Sequence, residues 1–387
     1  MIDPKIDRRR FLSLAASAGA LLITPRIGFA AVETDYRFLF VIQRGGADGL
    51  DLVIPYADPN YARYRGAIAI DPAHAIKLDG SFALHPSLAG IGGLYRSGEA
   101  LFLHAVATPY RERSHFDGQN VLETGGGAPY QVKDGWLNRL AGLLPKSSGQ
   151  AVAFAPTVPM ALRGPAIVTS HAPSNLPEAP DDLLARVGSL YAADEQLHPL
   201  WSVAMTSRGP SGGAVSRRDP ASLGKLVAAF LSRPNGPRIA MLETGGWDTH
   251  SQQTGRLAGA LTALDRLIVS LKDNLGPVWD KTAVVVATEF GRTAAANGTG
   301  GTDHGTASAA MLLGGAVKGG RIVADWPGLA QSSLYEARDL RPTLALDAVF
   351  ATAAAETLRL EPELVARTLF PGNPVRLPVS DLIRRTS

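Results

Sequence analysis

Five short polar clusters carry side chains that could hold a metal ion and act on a charged group. They are Gly45-Gly46-Ala47-Asp48-Gly49-Leu50-Asp51, Arg111-Glu112-Arg113-Ser114-His115-Phe116-Asp117, Trp247-Asp248-Thr249-His250, Thr288-Glu289-Phe290-Gly291-Arg292 and Asp303-His304-Gly305. Together they supply carboxylate, hydroxyl and imidazole groups, the donors that zinc, manganese, magnesium or calcium accept. The chain has no cysteine, so it has no thiolate ligand, no thiolate nucleophile and no disulfide. In extended chain, residues i and i+2 point to the same side. Asp248 and His250 could therefore grip one ion, and Trp247 would turn the other way into packing.

Each cluster taken singly has a plainer reading. Asp48 in a glycine turn most often bonds its own backbone, and Ser114 before a helix most often caps it. Glu289 and Arg292 could form a structural ion pair, and His304 could be a satisfied structural histidine. Their common placement changes the balance, because four clusters follow apolar runs that read as strands. These runs are Tyr36–Gln43, Ala100–Val106, Ile239–Leu242 and Ala283–Ala287, and the fifth cluster lies in a glycine-rich loop before Ala309–Leu313.

The elements that must position them alternate. Helices are expected from about Ser114, over 180–205 and 220–233, and over Leu346–Leu358 and Pro362–Leu369. Leu257, Leu261, Leu264, Ile268, Leu271 and Leu275 recur at helical spacing. Ala283–Ala287 is a continuous run of the kind buried on both faces of a parallel sheet. Further apolar runs fall at Ala151–Phe154 and Ala166–Thr169, and Gly209–Arg218 reads as a linker. The fold class expected is α/β, with a mainly parallel sheet flanked by helices on both faces. Ligands of such sheets bind at the carboxyl ends of the strands, where the clusters lie.

The N-terminus reads as an address. Arg8-Arg9-Arg10-Phe11-Leu12 precedes a short run of small and apolar residues and then Gly28-Phe29-Ala30, a small-x-small cleavage pattern. This resembles a twin-arginine signal peptide over residues 1–30, leaving 31–387 as one α/β domain. It implies the twin-arginine export machinery as a partner and a periplasmic or secreted location. The apolar run is shorter than the roughly 20 residues a membrane span needs, and no other segment of the mature part could span. Residues 1–30 carry five basic and two acidic side chains, which accounts for the whole formal charge of +3. The remainder is near neutral, which argues against a nucleic-acid partner.

The blocks GGADGLDLVIPY, RSHFDGQNVLETG, GGWDTHSQQ, TEFGRT and GTDHGTASAAMLLGG, from about residue 40 to 315, resemble the signature blocks of the DUF1501 family of exported bacterial proteins. That family is grouped with the alkaline phosphatase and sulfatase superfamily. The resemblance implies an α/β fold with a metal site at strand ends. It implies one or two divalent ions held by Asp48, Asp248, His250, Glu289 and His304, and a nucleophilic hydroxyl at Ser114. His115 beside it is an alternative ligand or base. Arg292 is a candidate for a phosphate or sulfate oxygen, since its planar fork suits oxyanions. Phe290, which cannot ligate, stands directly after Glu289, where phosphatases place a histidine.

The function expected is an exported metal-dependent hydrolase acting on a small anionic phosphate or sulfate ester, with Ser114, His115 and Arg292 as catalytic residues. The alternative is a non-catalytic exported binding or assembly protein that retains the fold. An oxidoreductase is disfavoured, because no G-x-G-x-x-G follows a strand and no cysteine can attach haem or an iron–sulfur cluster.

Overall fold

The computed structural model describes residues 34–145, 151–172, 181–194, 197–198, 201, 205, 219–373 and 379–384. The expected signal peptide over 1–30 and the expected linker Gly209–Arg218 lie outside the described residues. Twelve strands are found among those described: β1 (Arg37–Gln43), β2 (Val53–Ile54), β3 (Ile76–Lys77), β4 (Ala83–Leu84), β5 (Ala100–Ala107), β6 (Ala151–Phe154), β7 (Val168–Ser170), β8 (Ile239–Thr244), β9 (Thr282–Ala287), β10 (Ser308–Leu313), β11 (Arg321–Val323) and β12 (Leu344–Ala345). Nine form the main sheet in the order β11-β5-β10-β9-β1-β8-β6-β7, with β12 also paired to β5. The short strands β2, β4 and β3 form a separate antiparallel sheet.

The main sheet is parallel except for β10, which runs against both β5 and β9. All other strands therefore end on one edge of the sheet, and β10 begins there. The fifth polar cluster precedes β10, so this reversal delivers Asp303 and His304 to the edge that receives the other four. A mainly parallel sheet was expected; the one reversed strand was not, because a continuous apolar run reads the same in either direction.

Alternation along β1 sorts the core into two layers. Phe38, Phe40 and Ile42 join Trp136, Val349, Phe350 and Leu369 on one face. There Trp136 stacks on Phe350 with ring centroids 4.8 Å apart. Leu39 and Val41 face Leu226, Leu257, Leu261, Leu264 and Ile268 on the other. Helices Trp136–Gly142, Leu346–Leu358 and Pro362–Leu369 thus cover one face, and Ala89–Arg96, Pro220–Leu231 and Gln253–Leu275 the other. The leucines at helical spacing in Gln253–Leu275 are all buried. Of the span 180–205, helix Asp181–Tyr191 is the long described part. Among the described residues, no helix is long and apolar enough to cross a membrane.

Candidate metal centre at the strand ends

The site is built from four loops at the shared edge, and glycine is what lets the first approach the others. After β1, Gly45 and Gly46 take φ of +123° and +66°, a region that L side chains avoid. A Cβ on Gly45 would stand 2.7 Å from the Asp248 backbone nitrogen. The turn points both glycine carbonyls at Arg292, which donates to Gly46 O through Nε (2.6 Å) and to Gly45 O through Nη2 (2.6 Å).

After β8, Trp247 turns into the core, with Nε1 donating to Thr244 Oγ1 at 3.0 Å. Asp248 and His250 come to the same side, His250 Nε2 lying 3.0 Å from Asp248 Oδ1. His304 Nε2 lies 3.4 Å from the same oxygen and His115 Nε2 3.6 Å from it. His250 Nε2 and His304 Nε2 are 2.9 Å apart. Three imidazole nitrogens therefore converge on one carboxylate oxygen.

The far nitrogen of each ring is anchored. His115 Nδ1 faces Glu289 Oε1 at 2.8 Å, His304 Nδ1 faces the Arg113 carbonyl at 2.8 Å, and His250 Nδ1 faces Asp303 Oδ1 at 3.3 Å. An oxygen acceptor at Nδ1 fixes the proton there and leaves Nε2 as a lone pair. Three lone pairs beside a carboxylate oxygen repel one another unless a metal ion or a second ring proton lies among them. His115 Nε2 is itself buried without a hydrogen-bond partner. The donor spacing also fits an ion: zinc–nitrogen bonds of about 2.0–2.1 Å in tetrahedral geometry imply donor–donor edges of roughly 3.4 Å. The donor atoms of His115, Asp248 and His304 lie within 4.8 Å of one another, a group able to hold a metal ion.

The electrostatics separate the histidines: His304 is shifted towards the neutral form that leaves Nε2 free, and His115 towards the protonated form. The hydrogen bond to Glu289 raises the pKa of His115, against the opposing effect of burial. Burial lowers the pKa of His304 despite the Arg113 carbonyl, which favours its neutral form. Burial acts to raise the pKa of Asp248, but the bond and charge of Arg292 with the nearby histidines bring it below the usual carboxylate value. Glu289 is likewise lowered, since the donors around it outweigh burial.

Some residues singled out in the sequence stand elsewhere in this arrangement. Asp48 caps helix Gly49–Leu52 and is buried against Arg65, which holds both its oxygens, while Gln253 Nε2 donates to Oδ2 at 2.6 Å. Asp48 is thus engaged in a buried ion pair. Glu289 stands behind His115: it accepts from Gly45 N, His115 Nδ1, Gln119 Nε2 and Thr288 Oγ1 at 2.8–3.0 Å. Arg292 is buried, bonded to the carbonyls of Gly45, Gly46, Trp247 and Thr302, and set on Asp248 Oδ1 at 2.5 Å. It clamps the loops together. Ser114 occupies the N-cap of helix His115–Thr124, but its side chain makes no cap bond. Phe290 packs beneath His115 and His304 with ring centroids 4.9 and 5.0 Å away.

Asn297, Gln119 and Asp303 escaped the sequence reading as site residues. Asn297 Nδ2 donates to His250 O (2.9 Å) and Asp303 Oδ1 (3.1 Å). Gln119 carried a usable signal, since it follows His115 by one helical turn and shares its face.

Residues 201–369 match the model of a family described as protein of unknown function (DUF1501). The resemblance read from the sequence holds there, and the matched span contains Asp248, His250, Glu289, Arg292 and His304; Asp48, Ser114 and His115 precede it. No curated protein matches the chain. Among solved structures, the chain is similar to the C-terminal periplasmic domain of EcEptC from Escherichia coli in complex with Zn (TM-score 0.35, 9% identity, 73% of each chain covered). It is also similar to a protein in the alkaline phosphatase superfamily from Vibrio parahaemolyticus (TM-score 0.36, 11% identity, 80% of this chain and 69% of that one). A third is the phosphonate monoester hydrolase of Agrobacterium radiobacter (TM-score 0.36, 12% identity, 87% and 78%).

Proposed function

We propose that this protein is a metal-dependent hydrolase of phosphate or sulfate esters, exported through the twin-arginine machinery to the periplasm or beyond. The observation that carries it is the convergence of three Nδ1-anchored imidazoles on Asp248 Oδ1. Three nitrogens and one carboxylate form a donor set that suits zinc better than the oxygen-seeking magnesium, calcium or manganese. His115, His250, His304 and Asp248 would hold the ion. A bound divalent ion acts as a Lewis acid and lowers the pKa of a hydroxyl or water beside it.

The chain's own residues supply the rest. Asp248 and His250 keep side-chain exposures of 46% and 44%, so a small ester can reach them. Ser114 Oγ, uncommitted to capping, is the nucleophile in this reading. Its bond to phosphorus or sulfur forms as the ester oxygen's bond breaks, the electron pair leaving with the alkoxide and the serine proton passing to solvent. Water then cleaves the serine ester, releasing phosphate or sulfate and restoring the hydroxyl. The first-turn N–H groups of helix His115–Thr124 favour the negative charge that develops there.

The second reading is a non-catalytic exported binding or assembly protein that retains the fold, any metal in it being structural. It is favoured by Arg292, buried and fully engaged where an oxyanion binder was expected. The test is metal analysis of purified mature protein, with turnover measured on aryl phosphate and aryl sulfate esters for wild type, Ser114→Ala and His304→Ala. Zinc near one equivalent, with turnover lost in both variants and zinc lost in His304→Ala, supports the hydrolase. No turnover, with or without bound zinc, selects the second reading, and protein that takes up no metal sinks the hydrolase. Cell fractionation with Arg8→Lys/Arg9→Lys tests the route; a variant exported as efficiently as wild type rules out twin-arginine export.

A further inference from the structure

Behind His115 and His304 lies a buried clamp with no part in the chemistry above. Arg113 immediately precedes the Ser114 cap, and its backbone takes φ of +63°, a costly conformation for a residue with a Cβ. That conformation goes with a carbonyl aimed at His304 Nδ1, 2.8 Å away. The Arg113 guanidinium reaches the carboxylate of Asp339, which is fully buried, through Nε at 2.9 Å and Nη2 at 2.8 Å. The same Asp339 oxygen accepts from Thr306 Oγ1 at 2.8 Å. One carboxylate thus ties the residue two before His115 to the residue two after His304.

The turn that carries Asp339 is itself strained. Glu336 and Ala337 also adopt left-handed backbones, at φ of 51° and 53°. Glu336 is a second anion on Arg113, and the neighbouring Arg338 donates to the His304 carbonyl. Non-glycine left-handed residues are uncommon and persist where the surroundings over-determine them. Three of them gathered around one ion pair, against two metal-facing histidines, is more than loop irregularity requires.

We propose that Arg113 and Asp339 are positioning residues that set the separation of His115 and His304, and through it the geometry and affinity of the metal centre. This rests on the metal reading above. Outer residues of this kind typically change metal affinity by about tenfold to a hundredfold when lost.

The test uses cobalt(II) as probe, because its visible absorption reports coordination geometry, with zinc affinity measured by chelator competition. Arg113→Gly is the discriminating variant. Glycine adopts a positive φ without strain and keeps the carbonyl for His304, so only the side-chain clamp is lost. The protein should fold with a lower melting temperature in chelator, because the buried Asp339 carboxylate loses its guanidinium, and cobalt and zinc should bind at least about tenfold more weakly with an altered absorption band. Asp339→Asn, which keeps the shape and removes the charge, should act alike, and Arg113→Lys should recover part of the loss. Arg113→Gly and Asp339→Asn proteins that fold and bind cobalt with wild-type affinity and spectrum would overturn the clamp while leaving the metal centre standing. A wild type that binds neither metal would overturn both.

Discussion

The carboxylate of Asp48 is enclosed by Arg65 and Gln253, whereas Asp248, half exposed, is ringed by three imidazoles and Arg292. Both aspartates follow strands and glycines, so side-chain type and spacing treat them alike. What separates them is a guanidinium from helix Tyr61–Arg65, fully buried against the carboxylates of Asp48 and Asp51. The chemistry of a buried ion pair is stability, and removing one partner leaves an uncompensated charge. Asp48→Asn should therefore cost on the order of 3 kcal/mol in denaturant unfolding and leave zinc stoichiometry unchanged. Loss of zinc from a fully folded Asp48→Asn protein would instead make Asp48 a ligand. Glu289 makes the same point from the other side. Its Oε1 accepts from Gly45 N, His115 Nδ1 and Gln119 Nε2, and its Oε2 from Thr288 Oγ1, so the carboxylate orients His115.

At the scale of elements, the strands and their polar ends were legible because apolar runs and periodicity report burial directly. Ile239–Leu242 and Ala283–Ala287 sit inside the observed β8 and β9, and Asp248 and His250 do share a side. Strand direction and the short second sheet were not legible, since neither leaves a mark on composition; β10 runs antiparallel on a sequence, SAAMLL, that either direction could use. The partners of each site residue were hidden for a related reason. Arg65 and Asp339 meet Asp48 and Arg113 from 17 and 226 residues away. Helix Leu346–Leu358 offers a test of burial at this scale. Asp347, in its first turn and 2% exposed, accepts from Asn373 Nδ2 at 2.7 Å. Burial pushes its pKa up from 3.8 to about 6, against Asn373 and Arg111, which lower it. A raised folded-state pKa means stability present below about pH 4 and lost as pH rises through about 6. Asp347→Asn should remove that loss. Its stability relative to wild type should rise by on the order of 3 kcal/mol between pH 4 and pH 7, measured by urea unfolding at each pH. A difference that stays flat with pH would show that the carboxyl is not protonated in the folded state.

At the scale of the molecule, the centre is a product of the whole fold. His115 enters from the loop after β5, Asp248 and His250 from the loop after β8, and His304 from the loop before the reversed β10. These donors are up to 189 positions apart by their residue numbers, and nothing local holds them together once the sheet is lost. An ion bound by all of them binds the native state and largely ignores the unfolded chain, so binding must appear as stability. For free zinc at a hundred times its dissociation constant, the gain is about 2.7 kcal/mol. In a chain of this size each kcal/mol moves the melting temperature by roughly 2–4 °C or somewhat less, so zinc should raise it by several degrees over protein in chelator. His304→Ala, which removes a donor without touching the sheet, should abolish the rise while leaving the chelator value nearly unchanged. Magnesium at the same concentration should do little, because imidazole is a poor ligand for it. A melting temperature indifferent to zinc would mean that the three imidazoles meet for another reason, and a rise that survives in His304→Ala would place the ion somewhere else in the protein.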